Sequence, residues 1–403
     1  NDDQRGAGAA GGQALVSNGG TLAITTGSLF TNNALGNDTY AVDISGTTAG
    51  AGGINFGSTT LDHDDAGESG GGIRLVTNTG TFTFASVSRI TANNGAGILA
   101  SNAGTLTIGT TTAGNIETSN RAVFDISQTT LNLNATMTRS TASTGSGMVF
   151  NGVGGTVNLT GALSITSSAA AGLSISNSVA GAAFTFSGAT KVISTGAQTA
   201  VQLSSNSGST VSFTNDGLEI DTTSGAGFTA SGGGTINISS AGNRINTTTG
   251  QILGWNGVTV GAGGVSFATL ASSGTVAADA ISLGNVNGAT FRVGQRHLGR
   301  HERRHRDLRR IVGDLQLRPG DRRWGWRLGH KAGIRHRHDD LHLSRHRRRR
   351  HGPVHRQFGD CERQWRRYRR DHDPDRQRHS AERRKRDDFD RRQCRQCQRP
   401  AGC

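Results

Sequence analysis

Apolar residues alternate with polar residues in short runs along residues 10–294, and these runs recur at a nearly constant spacing. A unit begins with an apolar pair at positions i and i+2, such as Leu173 and Ile175. A Gly-rich turn and a second alternating run, such as Phe184 and Phe186, follow. Alternation with a period of two residues predicts β-strands with one buried face.

The spacing of the units predicts a solenoid. The first apolar positions are 42, 73, 98, 123, 148, 173, 201, 228, 252 and 281, and a less clear unit surrounds Leu15 and Leu22. Most units also contain a third apolar patch, for example Leu163–Ile165 or Lys191–Ile193. Three short strands in a unit of about 26 residues describe one coil of a parallel solenoid, in which each strand pairs with its equivalent in the next coil.

The residues between the runs agree with this fold. Residues 1–294 contain no Pro, which would remove a ladder hydrogen bond inside a strand. Gly and Asn are common between the runs and suit corners that need a positive φ. We therefore predict an all-β, right-handed parallel β-helix. A disordered low-complexity chain and an antiparallel sandwich or barrel are the alternatives, but neither explains the regular steps from 73 to 173.

Charge divides the chain near Gly294. Residues 1–294 contain 14 acidic residues and 8 Lys or Arg, whereas residues 295–403 contain 15 acidic residues and 35 Lys or Arg. The net charge of +14 therefore describes neither part. We predict a β-helix domain over 1–294 and a disordered, Arg- and His-rich tail over 295–403.

The tail also has an interpretation as an out-of-frame translation of the same repeat. Reading the last two bases of each codon with the first base of the next converts Arg, His and Gln codons into codons for Gly, Thr, Asn and similar residues. In that frame Gly313–Arg318 permits Gly-Thr-Phe-Ser-Phe-Gly, and Asp360–Trp365 permits Thr-Val-Asn-Val-Ser-Gly. These runs are close to Gly80–Phe84 and Thr156–Gly161. We therefore hypothesise a frameshift near 294–295.

Two motifs carry a resemblance to a known group of proteins. Gly155–Gly161, which reads GTVNLTG, and Gly233–Ser239, which reads GGTINIS, resemble repeats of bacterial right-handed parallel β-helix proteins, including autotransporter-type passengers and other surface adhesins. The resemblance covers about 10–294 and rests on composition and period. It implies a structural and adhesive stalk without catalysis, whose partners are glycans or a host or neighbouring cell surface.

The same resemblance implies an extracellular or bacterial cell-surface location. The chain begins at Asn1 and has neither a signal-like segment nor a visible anchor, so we expect it to be a fragment. No run of about 18 apolar residues occurs, and the sequence therefore predicts no transmembrane helix.

An acidic cluster lies in the longest step of the repeat, from 42 to 73. It consists of Asp62, Asp64, Asp65 and Glu68, and we expect it to form a loop that protrudes from the solenoid. A solvated loop is the simplest interpretation. Its oxygen ligands could instead hold Ca²⁺, or a carboxylate pair could act on a glycosidic bond. The spacings of EF-hands and of nine-residue calcium repeats are absent. We keep the cluster as a candidate calcium site and expect no other cofactor.

Trp255, the only Trp in residues 1–294, could stack on a sugar ring or cover the core at a corner. The main alternative to a stalk is a carbohydrate-active β-helix enzyme, a polysaccharide lyase or hydrolase. Residues 1–294 lack the second Asp pair and the Arg-x-Lys motif that such a site would need. The second alternative, nucleic-acid binding, depends on the basic run Arg345–His351. Because the tail has no RNA-binding motif, we expect no nucleic-acid partner.

Overall fold

A computed structural model describes residues 13–31, 39–62, 69–109, 115–135, 137–141, 145–166, 169–277, 279–297 and 313–315. Within these ranges the chain forms strands and turns, and no helix is present that could cross a bilayer. The strands pair in parallel from coil to coil. The predicted all-β parallel solenoid, with about 26 residues per coil, is therefore confirmed. Apart from 295–297 and 313–315, the predicted disordered tail lies outside the described residues.

Each coil contributes strands to three ladders, which we call faces A, B and C in the order in which the chain meets them. Face A has eleven parallel strands. They are β1 Leu15–Asn18, β4 Tyr40–Ser45, β6 Gly71–Val76, β8 Ile98–Ser101, β11 Phe124–Ser127, β14 Met148–Asn151, β17 Leu173–Ser176, β20 Val201–Ser204, β23 Phe228–Ser231, β26 Leu253–Asn256 and β28 Ile281–Gly284.

Faces B and C form one larger sheet, because some strands run through the corner between them. The strands of face B alone are β2 Thr21–Ile24, β9 Thr105–Ile108, β12 Thr130–Ala135, β15 Gly154–Leu159, β18 Ala183–Phe186, β21 Thr210–Phe213, β24 Thr235–Ile238 and β29 Asn287–Gly288. Those of face C are β3 Ser28–Thr31, β10 Asn115–Ser119, β13 Met137–Thr141, β16 Leu163–Thr166, β19 Lys191–Gly196, β22 Leu218–Thr222 and β25 Arg244–Thr247. The strands that cover both faces are β5 Thr48–Leu61, β7 Thr81–Asn93, β27 Thr259–Ser272 and β30 Phe291–His297.

The last described strand differs from the others in direction. β31, Gly313–Leu315, pairs antiparallel with Phe291–Val293 of β30. β30 itself continues through His297, three residues beyond the charge boundary at Gly294.

The register of face A confirms most of the predicted repeat and corrects it in two coils. Leu15 pairs with Val42, so the less clear first unit is a regular coil. Phe124 and Leu253 take the aligned position in their coils, where the spacing predicted 123 and 252. The residue before the strand is fully buried in both coils, because it also faces the core at the corner from face C. Two adjacent buried residues therefore made the period ambiguous by one residue.

Aromatic rings fill the core by stacking on rings of neighbouring coils. The centroids of Phe186 and Phe213 lie 4.8 Å apart, with planes inclined by 13°. The series continues through Phe228 and Trp255 to Phe291 in edge contacts of 6.0, 5.2 and 5.7 Å. Offset and edge contacts of this kind add stability beyond the area that they bury.

The corner from face A to face B has the same conformation in every coil. The residue after each face A strand has a positive φ, and these residues are Gly19, Gly46, Thr77, Asn102, Gln128, Gly152, Asn177, Ser205, Gly232, Gly257 and Asn285. Gly and Asn adopt this conformation at low cost, as predicted for the corners. Thr77, Gln128 and Ser205 adopt it at a higher cost, which indicates that the flanking ladders impose the turn.

Candidate functional site

Asp62 directly follows β5, and both of its carboxylate oxygens accept hydrogen bonds from β7 of the next coil. Arg89 Nη1 donates to Oδ2 at 2.8 Å, and Thr91 Oγ1 donates to Oδ1 at 2.6 Å. The carboxylate therefore joins two coils at the end of the strand. A cation at this position would compete with the guanidinium for the same oxygens.

The other three members of the acidic cluster, Asp64, Asp65 and Glu68, lie outside the described residues. Across the ranges that the structure does describe, no group of three or more His, Cys, Asp or Glu is arranged to hold a metal ion. The calcium site therefore stays a prediction.

Trp255 lies on β26 with its side chain in the core, and only 1% of the residue is exposed. The ring packs edge-on between Phe228 and Phe291. The indole N–H has no hydrogen-bond partner. The ring thus covers the core, which was one of the two roles considered for it, and presents no exposed face on which a sugar could stack.

Charged side chains on faces A and C form pairs between neighbouring coils. On face A, Arg74 donates to Asp43 at 2.7 Å. On face C, Arg244 pairs with Glu219. Two residues further along the same strand, the Asp221 carboxylate accepts a hydrogen bond of 3.0 Å from Asn246 of the next coil. Because equivalent positions in adjacent coils are only about 4.8 Å apart, opposite charges stabilise the ladder and like charges would weaken it.

Face B is different over the seven coils from β7 to β24. Its outward residues in these strands, which we call the neutral platform, are Thr81, Thr83, Thr105, Thr107, Thr130, Asn132, Asn134, Thr156, Asn158, Ala183, Thr185, Thr210, Ser212, Thr235 and Asn237. None of them is charged or aromatic. Their inward neighbours, such as Phe186 and Phe213, are buried in the core. The platform therefore presents hydroxyl and amide groups at ladder spacing.

One β-bulge lies in the strand on each side of the neutral platform. Thr48–Phe56, which reads TAGAGGINF, and Thr259–Phe267, which reads TVGAGGVSF, belong to the 14-residue strands β5 and β27. In both strands the register with the preceding coil shifts across the Gly-rich segment, which is a β-bulge. Gly263 of the second bulge donates to the outward Asn237 side chain at 3.1 Å, so this bulge lies on the outer side of face B.

Lys191, at the start of β19, is a buried cation that the sequence analysis missed. The residue is 1% exposed, and its Nζ donates to the carbonyl oxygens of Gly188, Thr214 and Asp216. Burial lowers the pKa of Lys191 from its ordinary value, and the nearby Asp216 carboxylate partly opposes this shift. The ammonium group joins the corners between faces B and C in two successive coils. The sequence signal was a Lys at a position where the next coil has Leu218.

These features, together with the three ladders, describe a solenoid with two charged faces, a third face that is neutral from β7 to β24, and no paired catalytic carboxylates among the described residues. No protein-family model, curated protein or solved structure matches the chain.

Proposed function

We propose that the solenoid is a structural and adhesive rod, secreted or displayed on a bacterial cell surface, that binds through extended faces and performs no catalysis. The observation that supports this proposal is the eleven-stranded parallel ladder of face A. The strands of faces B and C also pair in parallel from coil to coil. A rod of equivalent coils repeats each outward group many times. Repetition favours many weak contacts with a repetitive partner, such as glycans on a host or neighbouring cell.

The pairing of three described carboxylates argues against a glycosidase that would use them. Glycoside hydrolysis uses two carboxyl groups that face each other across the substrate. Asp43, Asp62 and Glu219 each pair instead with an Arg of the neighbouring coil. Cross-coil pairing gives these groups a structural role.

The test is binding of the full, fluorescently labelled chain to surfaces that carry immobilised glycans at increasing density. We expect retention to rise steeply with density and to be competed by the free polysaccharide but not by its monosaccharide, because avidity depends on simultaneous contacts. Retention no better than on a bare surface would contradict adhesion. Release of new reducing ends or unsaturated products would instead support the carbohydrate-active enzyme.

We also propose that residues beyond 294 are out-of-frame translation of further coils. Support comes from the solenoid motifs that the shifted frame permits at Gly313–Arg318 and at Asp360–Trp365. Sequencing the DNA for 281–310 from an independent clone tests this, and one gained or lost base is the expected result. A confirmed frame, together with peptides around Trp324 in mass spectra, would contradict it and make the basic tail the first place to test for nucleic-acid binding.

A further inference from the structure

We infer that the neutral platform binds ice, with its hydroxyl and amide groups taking positions in an ordered lattice of water. This inference rests on the proposed function of binding through an extended face and names the partner of face B. Three properties of the platform support it: neutrality, regular spacing and rigidity.

Neutrality excludes most ionic partners. The platform offers no cation to a nucleic acid or an acidic glycan, and no carboxylate to a metal ion or a basic protein. Thr, Ser and Asn side chains each provide both donors and acceptors. A partner must therefore be neutral and must itself offer donors and acceptors along the array, which Ala183 alone interrupts, as ordered water does.

The spacing of the platform is regular in two directions. One outward column runs through Thr83, Thr107, Asn132, Thr156, Ala183, Thr210 and Thr235, with each residue paired to the next. None of these six pairings contains a register shift. Neighbours in the column are about 4.8 Å apart, and residues at i and i+2 on one strand are about 6.8 Å apart. A two-dimensional array suits a partner that is periodic in the same two directions.

The platform is also rigid enough to be preorganised. Nine of its fifteen residues are Thr, whose β-branched side chain has a restricted χ1. Packing of the inward neighbours fixes the strands beneath. A group that is already fixed loses little entropy on binding, so individually weak contacts can add up along the array.

The platform lacks the aromatic rings that commonly bind single dissolved sugars, and this agrees with binding to a lattice. Binding of single sugars uses concave sites and aromatic rings. No platform residue is aromatic, and the cavity of about 340 Å³ near Ser240 and Gly263 lies beside the second bulge rather than on the array. The bulge of β27 shifts the register with β24 after Ile236, so the regular surface ends before β27, whereas Asn55 of β5 still pairs with Thr83 in register. A neutral array without aromatic rings favours a solid surface over a dissolved ligand.

The experiment measures how much of the full chain is incorporated into slowly growing ice. Thr210→Lys places a strongly hydrated charge within the array, and the matched Thr229→Lys places the same charge on an outward position of face A. We expect wild type and T229K to be enriched in the ice and T210K to remain in the liquid. Circular dichroism of all three proteins is the control, and it should show that they are equally folded. T210V, which keeps the shape without the hydroxyl, should be enriched less than wild type.

Two results would overturn the inference. The first is that the wild-type chain is excluded from ice as completely as a protein that has no such platform. Equal enrichment of T210K and T229K is the second, because it would place ice contact elsewhere. If the chain fails to enter ice but still binds glycan surfaces, the inference is wrong and the adhesive rod stands. If neither surface retains the chain, both proposals are wrong.

Discussion

Faces B and C share a sheet, a strand spacing and a core, yet their outward residues follow opposite rules. Face C carries ion pairs between coils, such as Asp62 with Arg89 and Glu219 with Arg244. Face B, from β7 to β24, carries no charge at all. In a parallel solenoid every outward residue stacks on its equivalent, so an opposite charge in the next coil stabilises a charged position.

The difference shows what a solenoid ladder fixes and what it leaves to the sequence. The ladder fixes where outward groups lie, because each coil repeats the corners and strands of the last. Outward residues then decide whether a face stabilises the rod or remains available to a partner. Charges paired across coils on face C act on the rod itself. Uncharged groups on face B, apart from the hydrogen-bonded Asn237 and Ser212, keep their capacity for an external surface.

The largest expected effect concerns the core that both faces share. Phe213→Ala should lower the free energy of unfolding by about 3–5 kcal/mol, because Phe213 is fully buried and stacks on Phe186. Urea unfolding followed by circular dichroism measures it. Ser212→Ala, one residue away on the outward side, should change stability by less than about 0.5 kcal/mol. Equal losses for the two variants would mean that the inward and outward assignment is wrong.

The second effect concerns the corner that joins the two faces. Lys191→Met leaves the carbonyls of Gly188, Thr214 and Asp216 without their donor. This loss should lower the free energy of unfolding by on the order of 3 kcal/mol, and the decrease is reduced because the uncharged Met has no charge to desolvate. Leu218→Met, at the paired position of the next coil, is the control and should cost less than about 1.5 kcal/mol. Thermal unfolding of both variants measures the difference. A K191M variant as stable as wild type would show that the carbonyls find other donors.

The pH dependence of the free energy of unfolding tests the burial of Lys191 in the same two proteins, wild type and K191M. Burial lowers the pKa of Lys191 below its ordinary 10.5, so the unfolded chain binds this proton more tightly than the folded chain. Wild-type stability should therefore rise, relative to K191M, as pH increases from the folded pKa towards 10.5. A parallel pH profile for the two proteins would contradict the assignment.

A smaller effect tests charge pairing on face C directly. Arg244→Glu places a second carboxylate beside Glu219 and should destabilise the rod by about 1 kcal/mol at low salt, and by less at 1 M salt. Thr235→Glu on face B has Thr210 and Thr259 as its ladder neighbours and should cost less. Exchange of both charges, in E219R/R244E, should restore most of the loss. Failure of the exchange to restore stability would contradict pairing across coils.

The sequence was sufficient for the fold because solenoid units repeat a simple local pattern. Alternation at Leu173, Ile175, Phe184 and Phe186 predicted which residues face the core, and all four are buried. The predicted register was wrong by one residue only in the units that start near 123 and near 252, where two adjacent residues are both buried.

Features that depend on contacts between coils could not be predicted in the same way. Lys191 was counted within an apolar patch, since its partners are backbone carbonyls whose positions depend on the corners of two coils. Trp255 was left open between core and surface, because its Gly-rich surroundings gave no alternation to orient it. The neutral platform became visible only when ladder pairing aligned outward Thr, Ser and Asn from seven coils.

The smallest expected effect comes from Asp125, which lies outward on face A between Leu99 and Val149 of the neighbouring coils. These apolar neighbours partly desolvate the carboxyl and raise its pKa above 3.8, although the residue as a whole is exposed. A raised pKa means that ionisation weakens the fold, so Asp125→Asn should stabilise the rod at neutral pH by a few tenths of a kcal/mol. The gain should disappear below pH 3.8, where the carboxyl is protonated in both states. Asp43→Asn, which removes the partner of Arg74, should act in the opposite direction at neutral pH. Thermal unfolding at pH 7 and pH 3 measures both, and destabilisation by D125N at pH 7 would show that the charge is paired rather than isolated.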